Sequence, residues 1–585
     1  MKESIKICAA SPRLTLGDPA ANAAAIAEAA RSAAANGTQL ICFPKDSLTG
    51  ASLGSLRSSK ALLRAADRAL EKLASETEEL DITIVCGLPV AAGSGAESFA
   101  AVIYRGKTLC VPEGPVQGFA PFDFMVRFGN SQEGCYAPLT LILDSSVSLA
   151  GDGLTTTRRL MELSAETGLI AYANAGPWES TTSGVCGGKC VIADRGELLF
   201  QTESYERGGD SAVAITTVEK DFRVTELSRA KREKLFRRLD ACALEFSERD
   251  PFLPSDPAYV MPYCRDILRI QATALAERME RAHIDKAVIG VSGGSDSTLA
   301  MLAAAAALQL LGRKPSDLIA VTMPGFGTTG RTKGNALALM RELGADMREI
   351  PIAESVRLHF RDIGHSEEER NATYENAQAR ERTQILMDIC GDVNGLVVGT
   401  GDMSESALGW CTYGGDHLAM YSVNCGLTKG LVKKTIETAA LDLKCGEYMY
   451  PPAGDPELLS EALLDVLDTP VSPELLPPDR RGNIAQVTED KVGPYELHDF
   501  FLWELAGKGE RPADIAARAK ELFAGTYDAE TVDKWLSTFI RRFFTQQFKR
   551  NCSPEGPQIT RLSLSPRGAW EMPSDVSFAA WKEDI

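Results

Sequence analysis

Histidine is scarce in this chain, with five residues in 585, all scattered. The 14 cysteines include no C-x-x-C pair. Cys186 and Cys190 are spaced C-x-x-x-C, but no second pair completes a zinc site. These cysteines read as reduced, mostly buried thiols of a cytoplasmic protein. No run approaches the ~18 apolar residues of a membrane span. The N-terminal stretch MKESIKICAASPRLTLGD lacks the apolar core of a signal peptide. There is no internal repeat and no low-complexity tract. Basic residues are outnumbered, 62 Lys and Arg against 80 Asp and Glu, a net charge of −18. That argues against bulk binding to nucleic acid or to an acidic membrane. An anionic substrate would need a local cluster of Lys and Arg.

What is present is globular: 44% hydrophobic and 24% charged residues. The length suits about three to four domains, or two large ones. The organising stretch is Lys286 to Ala300, KAVIGVSGGSDSTLA. Ala287 to Val291 is apolar and rich in β-branched residues, which predicts a buried parallel strand. Ser292-Gly293-Gly294-Ser295-Asp296-Ser297 is a tight turn. From Thr298 an Ala/Leu-rich helix runs to Gly312. A strand, a Gly-rich turn and a helix N-terminus offer free backbone N–H groups to an anion. Asp296 would repel a phosphate unless it held Mg²⁺ against it. The lysine of G-x-x-x-x-G-K-[ST] is missing, so this is not that P-loop. The loop resembles the SGGxDS pyrophosphate loop of the ATP pyrophosphatases, which adenylate a substrate; the plain alternative is an ordinary Gly/Ser turn.

Before residue 250, strands are expected at Ile5 to Ala10, Gln39 to Phe43, Ile82 to Pro89, Ala100 to Tyr104, Leu139 to Leu143, Leu169 to Asn174, Val191 to Asp194 and Leu198 to Gln201. Helices are expected at Asn22 to Asn36, Ser59 to Leu80 and Thr155 to Thr167. This order suggests a layered α/β sandwich. With the phrases FPKDSLTG, AAVIYRGK, YANAGPWESTT and VIADRGELL, it resembles the nitrilase, or amidase, fold over roughly residues 3 to 215. In that family a Cys attacks the amide, a Glu acts as base and a Lys stabilises the oxyanion. Lys45 stands at the expected Glu position and Glu113 at the expected Lys position. The C-E-D-x-W phrase of the nucleophile is absent. Cys135 is the cysteine nearest that place in the sequence. The resemblance therefore implies a degenerate amidase site, with Lys45 and Glu113 exchanged and expected to form an ion pair.

Val218 to Phe252 is charged, with intermittent apolar positions, and reads as helix or linker. Pro251, Pro254 and Pro257 mark a boundary, giving expected domains 1–250 and 251–585. Beyond it, strands at Ala287 to Val291, Leu318 to Met323 and Met347 to Ile352 alternate with helices. That pattern predicts a doubly wound parallel sheet with ligands at the C-terminal strand ends. A strand at Gly395 to Gly399 then opens Thr400-Gly401-Asp402-Met403-Ser404-Glu405-Ser406-Ala407-Leu408-Gly409-Trp410. Here Glu405 can coordinate Mg²⁺, Thr400 can reach a ribose or phosphate, and Trp410 can stack on a flat ring.

The phrases GVSGGSDS, ENAQARERT, GTGDMSESALGWCTYGGD, VSPELLP, KVGPYELHDFFL, FKR and LSPRGAWEMPSD resemble the NAD⁺ synthetases, in the long two-domain glutamine-dependent branch. Met403 replaces a lysine of the short ammonia-using forms, as suits that branch. The resemblance implies that Gly290, Val291, Ser292, Gly293, Gly294, Ser295, Asp296, Ser297 and Thr400 bind ATP. It implies that Asn376, Glu381, Arg382, Thr383, Glu405, Trp410 and Lys549 bind deamido-NAD⁺. Asp296 and Glu405 would hold Mg²⁺. Asp296, Glu405 and Lys429, the last at a position suited to a phosphate, would form the catalytic set. Gln384 stands where the family often has Asp. The implied reaction amidates deamido-NAD⁺ through an acyl-adenylate, with ammonia as direct donor, free or supplied by a separate glutaminase, in a homo-oligomer. The rivals are a functional glutamine-dependent enzyme using Cys135, another ATP pyrophosphatase such as a GMP synthetase or a tRNA-thiolating enzyme, and a non-catalytic scaffold.

Overall fold

The structure is a computed structural model that describes residues 2–93, 95–129, 137–219, 224, 229–470, 475–476 and 488–584. Cys135 lies outside the described residues. The chain divides into two compact units, Met1–Ser180 with Gly184–Leu244, and Thr181–Ser183 with Glu245–Ile585.

The first unit holds two six-stranded sheets. One comprises β1 (Lys2–Pro12), β2 (Leu40–Cys42), β3 (Thr83–Ala92), β4 (Gly95–Tyr104), β5 (Lys107–Val111) and β12 (Gly209–Glu219), in the order β12-β1-β2-β3-β4-β5. The other comprises β6 (Gly114–Val116), β7 (Phe124–Phe128), β8 (Leu139–Asp144), β9 (Leu169–Asn174), β10 (Cys190–Asp194) and β11 (Glu197–Gln201), in the order β11-β10-β9-β8-β7-β6. The central strands of each are parallel and the outer ones antiparallel.

Alternation along β1 explains the layering. Ile5, Ile7 and Ala9 join Leu40, Val85, Leu141 and Ala171 in a core drawn from both sheets. Cys8 and Ala10 point the other way, against Ile26, Leu70 and Leu73 of helices Pro19–Ala35 and Lys60–Glu76. A period of two sends successive side chains to opposite faces, so one strand feeds both cores.

The expected Lys45–Glu113 ion pair does not form. Glu113 Oε1 lies 2.9 Å from Arg127 Nε, and Arg127 is almost fully buried. The cause is strand register: β6 pairs with β7 through Gly114 and Val126, which sets Glu113 beside Arg127. Lys45 follows β2, in the other sheet.

In the second unit, β13 (Lys286–Gly290), β14 (Leu318–Thr322), β15 (Asp346–Glu349), β16 (Gly395–Gly399) and β17 (Tyr421–Ser422) form one sheet in the order β15-β14-β13-β16-β17. All of its pairings are parallel. Strand order reverses between β13 and β16, a switch point that opens a crevice at the C-terminal strand ends. Helix Pro257–Arg281 and helix Ser295–Leu310 pack on one another, both with long buried stretches. Residues Thr181–Ser183 belong to this unit, and Tyr421, fully buried, donates its hydroxyl to Thr181 O at 2.6 Å.

Candidate active site

The turn after β13 is shaped by glycine. Gly293 has φ +86°, and a Cβ there would stand 2.1 Å from Thr332 O, so no side chain fits. Helix Ser295–Leu310 begins within the predicted turn, with Gly294 as its N-cap residue. Ser295, Asp296 and Ser297 therefore lie in its first turn, where N–H groups lack intrahelical acceptors. The Ser292 and Ser297 hydroxyls lie 3.2 Å apart, and Ser297 donates to Gly294 O. They brace the loop itself in this structure.

Asp296 reaches a buried cluster. Lys429 Nζ lies 2.6 Å from Asp296 Oδ2, 2.9 Å from Asp402 Oδ2 and 3.0 Å from Glu405 Oε1. Lys429 is 1% exposed, and the Tyr495 ring centre lies 5.2 Å from its ammonium. Burial opposes the lysine's charge, but Asp296, Asp402 and Glu405 together hold its pKa well above the ordinary value. Burial pushes Asp402 well up, and pushes Glu405 up to about 7. Lys429 eases both, while the neighbouring carboxylates add to the rise.

Oxygens of Asp296, Asp402 and Glu405 lie within 4.8 Å of one another. One ammonium cannot neutralise three carboxylates, and Asp296 Oδ1 is buried without a hydrogen-bond partner. Hard carboxylate oxygens gathered this closely fit a divalent cation such as Mg²⁺. Asp402 is the member sequence reasoning missed. It is also the N-cap of helix Met403–Leu408, accepting from Glu405 N at 2.8 Å, and that capping role hides the second one.

Above the cluster lies a cavity of about 420 Å³. It is lined by Gly290, Val291, Ser292, Gly294, Ser295, Asp296, Ser297 and Thr400 on one side. Asn376, Arg382, Thr383, Glu405, Trp410 and Lys549 line it elsewhere. Gly293, Glu381 and Lys429 do not reach it, and Gln384 is exposed on helix Ala372–Val393. Thr383 Oγ1 donates to Ala379 O, and Arg382 Nε to Met323 O. Asn376 Oδ1 accepts from Thr412. Lys549 Nζ donates to Gly409 O and Cys411 O at 2.8 and 2.7 Å, which fixes the turn before and after Trp410. Arg542 lies over the Trp410 ring, 5.3 Å from its centre. The wall also includes Lys433, Asp416 and Arg542, which the sequence did not single out.

Asn424 was likewise not legible. It is fully buried and donates to Asp296 O at 2.9 Å and Thr400 O at 2.8 Å. Gln271, equally buried, donates to its Oδ1 at 2.8 Å.

Residues 267–453 match the family model for NAD synthase. The glutamine-dependent NAD(+) synthetase of Mycobacterium tuberculosis is 32% identical, over 99% of this chain and 97% of that one. The corresponding enzyme of Thermotoga maritima is 24% identical, over 97% and 98%. A glutamine-dependent NAD(+) synthetase structure from Cytophaga hutchinsonii shares the fold, with a TM-score of 0.76 at 16% identity and full coverage of both chains. With a relative this similar along the whole chain, and a glycine-rich loop leading into an acidic cluster beside the cavity, the chain belongs to the family of glutamine-dependent NAD(+) synthetases.

Proposed function

We propose that this chain amidates deamido-NAD⁺ to NAD⁺ through an acyl-adenylate, and that the nitrogen arrives as ammonia instead of from glutamine split in the first unit. The observation that carries the first part is the Lys429 cluster with Asp296, Asp402 and Glu405, set at the N-terminus of helix Ser295–Leu310. A carboxylate resists direct amidation because oxide and hydroxide leave poorly; AMP leaves well. The first-turn N–H groups of Ser295, Asp296 and Ser297 receive the departing pyrophosphate. Asp296 and Glu405, joined by Asp402, would hold Mg²⁺, which supplies charge neutralisation on the phosphates. Lys429 holds those carboxylates together and opposes the rise that burial imposes on Asp402 and Glu405. Thr400 faces the nucleotide, and Trp410 offers a flat face to the nicotinate ring. Asn376, Arg382, Thr383 and Lys549 line the deamido-NAD⁺ side. The cavity size suits a nucleotide-scale ligand.

The second part is supported by the chemistry of the first unit. Lys45 cannot serve as a base while protonated. Glu113 would oppose a developing oxyanion and is engaged by Arg127. Every described cysteine there has a raised pKa. Burial pushes Cys8 and Cys86 up to about 12, and Cys42, Cys186 and Cys190 upward too. Burial also raises Cys110 and Cys242. Nucleophilic thiols need the opposite shift. The M. tuberculosis alignment spans 680 positions against 585 residues here, so many positions of that relative have no counterpart. Ammonia then comes from the free pool or a separate glutaminase, and the chain works as a homo-oligomer.

The test is to assay the purified protein for NAD⁺ with ammonium or with glutamine, and for glutamate release. The expected result is NAD⁺ with ammonium and no glutamate. The relatives' glutamine-dependent names favour a second reading. Glutamate appearing in step with NAD⁺, and lost in Cys135→Ala, would establish it and overturn the ammonia reading.

A further inference from the structure

Asp499 is 4% exposed, on helix Tyr495–Leu502, and does not line the cavity. Its Oδ1 accepts from Ser404 Oγ at 2.5 Å, and its Oδ2 accepts from Gly430 N at 3.2 Å. Ser404 Oγ in turn accepts from Lys429 N at 2.9 Å. Lys429, Gly430 and Leu431 open helix Lys429–Cys445, where backbone N–H groups have no intrahelical acceptor. Thr428 caps Leu431 N from within the chain. Ser404 and Asp499 cap the other two from outside the helix. A lysine in the first position opposes the helix dipole, and the Asp499 side chain supplies an acceptor oxygen to the Gly430 amide there.

Ser404 sits between Asp402 and Glu405 on helix Met403–Leu408. The chain of bonds from Asp499 through Ser404 to Lys429 N therefore ties the backbone carrying Glu405 to the backbone carrying Lys429. Both anchors are buried, Ser404 at 1% exposure, so water does not compete for the bonds. The side chains of Glu405 and Lys429 meet 3.0 Å apart across this bracket. A small shift between the two helix starts would separate them.

We propose that Asp499 is a positioning residue for the reaction, holding Lys429 and Glu405 in register through Ser404 and the Gly430 amide. The inference rests on reading the lysine–carboxylate cluster as the adenylation centre. Asp499 contacts no cavity-lining surface itself, so it acts on geometry and not on substrate affinity.

The test compares Asp499→Asn, Ser404→Ala, their combination and Asp296→Asn with the unaltered chain, reading pyrophosphate release that depends on deamido-NAD⁺. Asparagine keeps the size of Asp499, but its NH₂ faces either the Ser404 hydroxyl or the Gly430 N–H. The expected result is a kcat lowered about 10- to 100-fold. KM for ATP and deamido-NAD⁺ should stay within about threefold, since ground-state contacts are untouched. The double variant should be no worse than Asp499→Asn alone, because both changes break one bracket. Calorimetric binding of ATP, unchanged in Asp499→Asn, would separate positioning from lost binding. A soluble Asp499→Asn with unchanged kcat, or effects of the two substitutions that multiply, overturns the proposal. If Asp499→Asn does not fold, an unchanged kcat in Ser404→Ala overturns it equally. If Asp296→Asn also retains pyrophosphate release, the cluster assignment itself fails. If only Asp296→Asn loses it, the positioning role alone fails.

Discussion

Asn424 Nδ2 lies 2.9 Å from the main-chain oxygen of Asp296, and the same nitrogen lies 2.8 Å from Thr400 O. One amide thus joins the loops leaving β13 and β16, the two lips of the crevice. Asn424→Asp is isosteric but places an oxygen against two carbonyl oxygens. It should cost about 2–4 kcal/mol in urea unfolding, as buried acceptors are left facing one another. A loss below about 0.5 kcal/mol, the scale of an ordinary surface change, would remove the bridging role.

Lys429→Met should uncover the charge imbalance of the cluster. Removing the cation leaves Asp296, Asp402 and Glu405 without their shared partner, and breaking a buried pair from one side costs about 3–5 kcal/mol. Added Mg²⁺ should raise the melting temperature of this variant more than that of the unaltered chain. An equal response would argue against a metal at these oxygens. Asp296→Asn, by contrast, relieves repulsion, so it should keep the fold while pyrophosphate release is abolished.

The sequence displayed β13, β14 and β16 of the second unit well, because Ala287–Val291 and Gly395–Gly399 are short, apolar and β-branched, but not the two-residue β17. It did not display β12. Along that strand Ala212 faces the core while Ile215 is 68% exposed, so the usual sense of the apolar alternation is blurred. Pairing with β1 over its whole length decides the matter, and that is a long-range fact. The site was legible where a motif holds its residues in one run, as from Gly290 to Ser297. Asp402 was hidden behind a capping role, and Asn424 behind its distance in the chain from the loops it joins. The ion pair expected between Lys45 and Glu113 ignored the β6–β7 register, which gives Glu113 to Arg127.

Restoring the exchanged pair should not restore an amidase. Lys45→Glu with Glu113→Lys would place a new ammonium beside the buried Arg127 guanidinium, where Glu113 Oε1 now lies 2.9 Å away. The double variant should release no glutamate from glutamine and should melt below the unaltered chain. Glutamate release above background would show that the amidase frame is intact.

His498 sets an acid limit. It is buried among Tyr495, Phe501, Trp535 and Phe539, with Nε2 2.5 Å from Val492 O. Burial lowers its pKa from 6.5 to about 4, the Val492 carbonyl opposing and the Arg542 cation assisting. The unfolded chain therefore binds this proton first as the pH falls. Stability is fully present above pH 6.5, is lost from there down to about 4, and changes no further below that on this account. The whole span amounts to about 3 kcal/mol. His498→Gln should flatten the stability curve across that window relative to the unaltered chain. Parallel curves would assign the loss to other groups.

The three residues Thr181–Ser183 have a consequence for how this polypeptide can be divided. They lie within the span of the first unit in sequence but pack as part of the second, and Thr181 O accepts the hydroxyl of the fully buried Tyr421. A gene cut near residue 245 would therefore not yield a self-sufficient C-terminal half. It would leave a phenol in the interior with its acceptor on the discarded piece. An N-terminal half would therefore be kept even if its own chemistry were lost, since simple fission would injure the C-terminal half.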